Sequence, residues 1–177
     1  MLAGRKILLI VTGGIAAFKA IDLIRLIKKA GGEVQPILTQ SAQEFVTPLT
    51  AGTLAGNAAL TELFDLTRES EIGHIELVRD ADLVVVAPCT ANFMAKMANG
   101  LANDLASTAI LARDKHVIVA PAMNVKMWEH PATQRNIKQL KKDKIAFVGP
   151  NEGDLACGEE GFGRMAEPEE IADEIMK

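Results

Sequence analysis

Three short runs in this 177-residue chain carry side chains able to do chemistry. Pro121-Ala122-Met123-Asn124-Val125-Lys126-Met127-Trp128 puts an amide, Asn124, just after the apolar run Val117 to Ala120. A buried strand there sets the amide at the strand's carboxyl end, where open α/β sheets bind ligands; the alternative is that Asn124 only caps the helix it precedes. Ala156-Cys157-Gly158-Glu159-Glu160-Gly161-Phe162-Gly163-Arg164-Met165 holds a thiol. Gly153, Gly158, Gly161 and Gly163 around it suit a mobile flap better than a core, an inert buried cysteine being the alternative. Glu159 and Glu160 favour the protonated thiol over the thiolate, so Cys157 is suited to giving a proton rather than to nucleophilic attack. Glu71-Ile72-Gly73-His74-Ile75-Glu76-Leu77 supplies His74. Its neutral ring can accept a proton near neutral pH; a histidine beside a glycine is otherwise a surface or capping residue.

Three further places offer an anion a seat. Val11-Thr12-Gly13-Gly14-Ile15-Ala16-Ala17 joins an apolar run to a helical stretch, and its small residues let an anion approach free N–H groups at a helix N-terminus. A tight turn that merely needs glycine is the alternative. The spacing is not G-x-G-x-x-G, and Thr39-Gln40-Ser41 stands where a dinucleotide binder places a carboxylate for the ribose. Hydroxyls there suit a phosphate, so a mononucleotide such as FMN fits better than NAD. Ser41 is also placed to cap a short helix. A second crossing, Ala87-Pro88-Cys89-Thr90-Ala91-Asn92-Phe93, brings a hydroxyl, an amide and free N–H groups together.

The elements that must position these groups alternate regularly. Apolar runs recur at Ile7 to Thr12, Val34 to Leu38, Leu83 to Ala87, Val117 to Ala120 and Ile145 to Val148. Helical stretches lie between them, at about Ile15 to Ala30, Thr47 to Ala55, Ala91 to Asn99, Asp104 to Ala112 and Pro131 to Lys142. Continuous apolar strands alternating with helices predict a parallel sheet covered on both faces, a doubly wound, Rossmann-like α/β fold forming a single domain over residues 1–177. The first helix has polar residues only at Lys19, Asp22, Arg25, Lys28 and Lys29, leaving more apolar surface than one sheet face buries. An oligomer interface is expected to cover the remainder. Acidic residues around Pro168 predict a closing helix with a solvated face.

Composition removes other classes. A net charge of -4, with 19 basic residues scattered among 23 acidic ones, leaves no footprint for nucleic acid. An aromatic content of 4% without tyrosine removes the stacking platforms of a single-strand binder. The apolar run after Lys6 is too short for a signal-peptide core with its cleavage site or for a membrane span. A soluble, untargeted cytoplasmic protein with a small partner is expected. In a reducing compartment Cys89 and Cys157 stay unpaired, and Cys89 reads as a small packing residue.

From Lys6 to the closing helix these motifs resemble the flavin-dependent cysteine decarboxylases. Ala87 to Thr108 is similar to the flavin-binding segment of that family, with Cys89 standing where Ser or Ala is more usual. The resemblance implies a flavoprotein with FMN held by Gly13, Gly14, Ile15, Thr39, Ser41, Thr90, Ala91, Asn92, Phe93, Ser107 and Ala122. It implies His74, Asn124 and Cys157 as catalytic residues, with Asn124 anchoring the substrate carboxylate, and Met123 and Ala156 as further substrate contacts; no metal is implied. Met127 and Trp128 read as packing, and His116 and His130 lie in no matching motif.

The form of the cysteine flap resembles the branch that converts 4′-phospho-N-pantothenoyl-L-cysteine to 4′-phosphopantetheine and CO₂ in coenzyme A biosynthesis, a lyase reaction. That likeness implies a lid at about residues 150–165 and a homotrimer or homododecamer with FMN between subunits. It also implies a fused or separate phosphopantothenate-cysteine ligase, so that the chain is either monofunctional or the N-terminal part of a bifunctional enzyme. Two alternatives are a peptidyl C-terminal cysteine decarboxylase and a non-catalytic flavin-binding regulatory subunit. A flavin prenyltransferase leaves the Pro-Ala-Met-Asn run unexplained.

Overall fold

Strands rich in Val, Ile and Leu along their whole length must bury both faces, and the chain arranges them accordingly. The computed structural model describes residues 1–62, 78–156 and 158–177, so His74 and Cys157 lie outside the described residues. β1 (Lys6–Val11), β2 (Glu33–Leu38), β3 (Leu83–Cys89), β4 (Val117–Pro121) and β5 (Ala146–Phe147) form a parallel sheet in the order β2-β1-β3-β4-β5. Alternate residues feed opposite faces. Ile7, Leu9, Val11, Leu83, Val85 and Ala87 enter one core, while Leu8, Ile10, Val84 and Val86 enter the other.

The first core is closed by α1 (Ala17–Lys29), α2 (Pro48–Ala55) and α7 (Pro168–Ile175). The second is closed by α3 (Ala91–Asn99), α4 (Leu105–Leu111) and α6 (Pro131–Lys142). Leu23, Ile24 and Ile27 of α1 are fully buried; each contributes about 1.5–3 kcal/mol by leaving water, and trimming Leu23 to alanine costs about 2–5 kcal/mol. The chain runs outward from β1 to β2, then crosses back to β3. Strand order therefore reverses between β1 and β3, and a crevice opens there at the carboxyl ends of the strands.

Three details depart from the sequence reading. α1 begins at Ala17 rather than Ile15, because the Ala17 N–H first turns back to the Gly14 carbonyl at 2.9 Å. The apolar surplus of α1 is partly taken up within the chain. α7 packs along α1, and the Lys19 ammonium bonds the Glu167 carboxylate at 2.9 Å; Ile15 and Phe18 stay exposed at 61% and 55%. The glycine-rich flap contains a two-stranded antiparallel hairpin, β6 (Asn151–Asp154) with β7 (Glu160–Arg164).

Candidate active site

At the carboxyl end of β1 the chain must pass beneath the turn that follows β2. A Cβ on Gly13 would lie 2.4 Å from both Cβ and Oγ of Ser41, so only glycine allows the two loops to meet. Thr39, not Ser41, caps the 3₁₀ turn Gln40–Glu44, accepting from the Ala42 N–H at 3.2 Å. The Ser41 hydroxyl is thereby left over the glycine loop, 3.3 Å from that of Thr39. The N–H groups of Gly13, Gly14 and Ile15 have no hydrogen-bond partner among the described residues. Hydroxyls and free N–H donors without a carboxylate among them suit a phosphate.

Thr12 ties this loop to the next. Its hydroxyl, 2% exposed, donates to the Pro88 carbonyl at 2.6 Å and accepts from the Thr90 N–H at 3.2 Å. Thr90 in turn caps α3 through the Phe93 N–H at 3.3 Å. Ala91 and Asn92 thus stand in the first turn of α3 with N–H groups that have no partner among the described residues, while the Phe93 side chain is buried in the second core. Cys89, fully buried, has its thiol pushed up to about 12 by desolvation, so it is a packing group and not a nucleophile. Its carbonyl accepts from the Ala122 N–H at 3.1 Å, joining the ends of β3 and β4.

Ser107 is buried in the first turn of α4, where its hydroxyl donates to Asp104 Oδ1 at 2.8 Å and accepts from the Asp104 N–H at 3.2 Å. Asp104 also pairs with Lys96 of α3, so one carboxylate joins both helices that follow β3. Burial raises the Asp104 pKa, but the bond from Lys96 and those from Ser107 outweigh it and hold the carboxyl below its ordinary range.

Asn124 caps α5 (Val125–Glu129): its Oδ1 accepts from the Met127 N–H at 2.8 Å. That bond leaves Nδ2 as an oriented donor without a partner among the described residues. The capping alternative and the ligand role are therefore compatible. β7 lies directly on this loop. The Met123 N–H donates to the Gly163 carbonyl at 3.0 Å, and a Cβ on Gly163 would fall 2.2 Å from the Met123 carbonyl oxygen. Asn124, Met127 and Ala91 together line a cavity of about 320 Å³.

Gly13, Gly14, Ile15, Thr39, Ser41 and Thr90 gather at the β1–β3 end, and Ala91 and Asn124 share one cavity. Met123 packs into the second core, whereas Met127, read as packing, is 46% exposed at the cavity. Ala122 packs against the first core, and Ala156 is exposed at the hairpin's tip. Sequence reasoning missed Thr12, whose only signal was a hydroxyl at the end of an apolar strand. It also missed Arg164, which pairs with Glu167 at 3.6 Å and so joins the hairpin's base to the Lys19–Glu167 pair. Among the described residues no cluster of His, Cys, Asp and Glu could hold a metal, and no helix is long and apolar enough to cross a membrane.

Known proteins resemble this chain in sequence and in fold. The bifunctional coenzyme A biosynthesis protein CoaBC of Haemophilus influenzae is 49% identical over 170 residues, 96% of this chain and 42% of the relative. CoaBC of Bacillus subtilis is 47% identical over 171 residues, again covering 42% of the relative, so the chain spans about two fifths of the length of these proteins. Among solved structures, a PPC decarboxylase variant complexed with pantothenoylaminoethenethiol superposes with a TM-score of 0.87 at 33% identity, covering 98% of this chain and 97% of that one. The FMN binding protein AtHal3 superposes with a TM-score of 0.84 at 34% identity, covering 97% and 95%. The family described as Flavoprotein matches residues 1–177, and the chain belongs to the Flavoprotein family.

Proposed function

We propose that this chain is a phosphopantothenoylcysteine decarboxylase: a flavin enzyme, with FMN as its flavin, that removes CO₂ from 4′-phospho-N-pantothenoyl-L-cysteine. The observation that carries the reading is that Ala91, in the flavin segment, and Asn124, with its free amide N–H, line one cavity. FMN fits the residues present: the Gly13 cradle, the Ser41 and Thr39 hydroxyls and the free N–H groups of Gly13 to Ile15 form a donor set for its phosphate.

The carboxylate to be lost sits on a saturated carbon bearing an amide nitrogen and CH₂SH, which gives the electrons nowhere to go. When bound, FMN supplies a two-electron acceptor that takes the thiol to a thioaldehyde and returns the electrons after CO₂ has left. Asn124 Nδ2 holds the carboxylate with one neutral hydrogen bond. An arginine would stabilise the charged ground state more than the transition state and slow the loss. His74 takes the thiol proton, and Cys157 returns one to the carbon when the product is reduced. Both residues enter on their sequence motifs, since they lie outside the described residues. The hairpin on the Asn124 loop acts as the lid that keeps water from the intermediate.

The same reading places the enzyme in the cytoplasm, working with a fused or separate phosphopantothenate-cysteine ligase. It assembles as a trimer or dodecamer, Ile15 and Phe18 being apolar surface available for contact; light scattering should then give a multiple of three chain masses. The test of function gives the purified protein the phosphorylated substrate and, separately, a peptide ending in cysteine, and measures CO₂. Turnover of the peptide alone would shift the protein to the peptidyl branch. Cofactor released by heat should chromatograph as FMN, and an adenine-containing flavin would refute that assignment.

A further inference from the structure

The cavity beside Asn124 carries a second group of donors that the carboxylate anchor does not use. Lys126, His130 and Thr133 line it with Asn124 and Met127. Thr133 is 7% exposed, yet its hydroxyl has no hydrogen-bond partner among the described residues. The hydroxyl is not one of the fully enclosed unpaired atoms, so this largely buried residue keeps its oxygen accessible at the cavity it lines. Its backbone points the same way. In the first turn of the twelve-residue α6, Pro131 has no N–H and the Ala132 N–H is taken by His130 Nδ1 at 3.1 Å, which leaves the Thr133 N–H at the helix's positive end without a partner among the described residues.

The same capping bond decides the histidine. With Nδ1 accepting, the ring proton resides on Nε2, which makes His130 a donor. Among the described residues Lys126 is held only by Glu129 at 3.9 Å, with side chains 79% and 62% exposed, a pairing weak enough to yield to a better anion. None of the lining residues is acidic. Donors from two helices thus share one cavity with the Asn124 amide.

Resting on the decarboxylase reading above, we propose that Thr133, His130 and Lys126 form the subsite for the substrate's phosphate monoester. The five residues of α5, about 7.5 Å at 1.5 Å per residue, lie between Asn124 and the His130–Thr133 part of the subsite, and Lys126 stands on α5 between them. The pantothenoyl arm is longer than that when extended, so it can span the two groups, and the exposed Met127 side chain offers apolar surface between them.

The test compares Thr133→Val and Lys126→Met with the parent protein, all with FMN bound, on pantothenoylcysteine with and without its phosphate. For each variant KM for the phosphorylated substrate should rise about tenfold, the equivalent of one good hydrogen bond. kcat and the KM for the unphosphorylated substrate should hold. Inorganic phosphate should compete with substrate in the parent protein and not in Thr133→Val. Equal losses on both substrates, or no change on either, would overturn the subsite. If the parent protein turns over neither substrate, the decarboxylase reading fails by itself. The subsite is then decided by titrating inorganic phosphate, followed by phosphorus NMR: weaker binding by Thr133→Val supports it, and equal binding overturns it.

Discussion

Replacing Gly163 by alanine asks whether the lid is seated by backbone contact. The new Cβ would lie 2.2 Å from the Met123 carbonyl oxygen and 3.3 Å from its carbon, so β7 and the Asn124 loop must separate by about an ångström or more to reach ordinary contact. That movement breaks the 3.0 Å bond from the Met123 N–H to the Gly163 carbonyl, worth about 0.5–1.5 kcal/mol. The backbone at φ +145 adds its own cost for a residue with a side chain, about 1–3 kcal/mol. Together these give about 2–4 kcal/mol. In a chain of this length that lowers Tm by roughly 5–15 °C if the whole domain feels it. The chain has a cheaper escape, which is to lift the hairpin. Tm then moves little, residues 150–165 become open to protease, and decarboxylation falls although FMN remains bound. Gly158→Ala is the control, since its φ of +82 is strained but nothing lies within 4 Å of the added carbon; it costs about 1–2 kcal/mol and leaves the seat intact. A Gly163→Ala protein with parental Tm, protease pattern and turnover would refute the reasoning.

Thr12→Val removes a hydroxyl that satisfies both the Pro88 carbonyl and the Thr90 N–H, and the two orphaned groups should cost about 2–4 kcal/mol in urea unfolding; a loss below measurement error would mean water replaces it. Asp104 has a folded-state pKa below its ordinary value, so its contribution is present above about pH 4 and is lost as pH falls through the lower folded value. The stability gap between the parent protein and Asp104→Asn should accordingly be flat from neutral pH down to about 4 and shrink below it; a gap that widened on acidification would contradict the assignment. Cys157→Ser, with a hydroxyl too weakly acidic to return the proton, should release CO₂ for a single turnover and stop. Steady turnover would make Cys157 a packing residue, and no CO₂ at all would move it to the first oxidation.

Much of this was legible before any coordinates. α3 and α6 have the limits expected from their punctuation, Thr90 with Gly100 for one and Pro131 for the other. Asn124 stands at the end of β4, as its place after an apolar run required. What stayed hidden depends on partners remote in sequence. Thr12 acts on Pro88, 76 residues away, and no local pattern marks that pair. The strands of the hairpin were invisible because Gly153, Gly161 and Gly163 depress β-propensity, and their reason for being glycine lies in what they touch. Ser41 was read as either a phosphate ligand or a helix cap; the cap falls to Thr39, and Ser41 packs against Gly13 instead. β5 came out shorter than Ile145 to Val148 because only Ala146 and Phe147 find ladder partners on β4.

The hairpin meets the Asn124 loop through the Gly163 main chain and through Gly161, where a missing side chain leaves room for Val125. A seat made of backbone is indifferent to the side chains it carries. Substitutions elsewhere along the hairpin can therefore accumulate without undoing the way it docks.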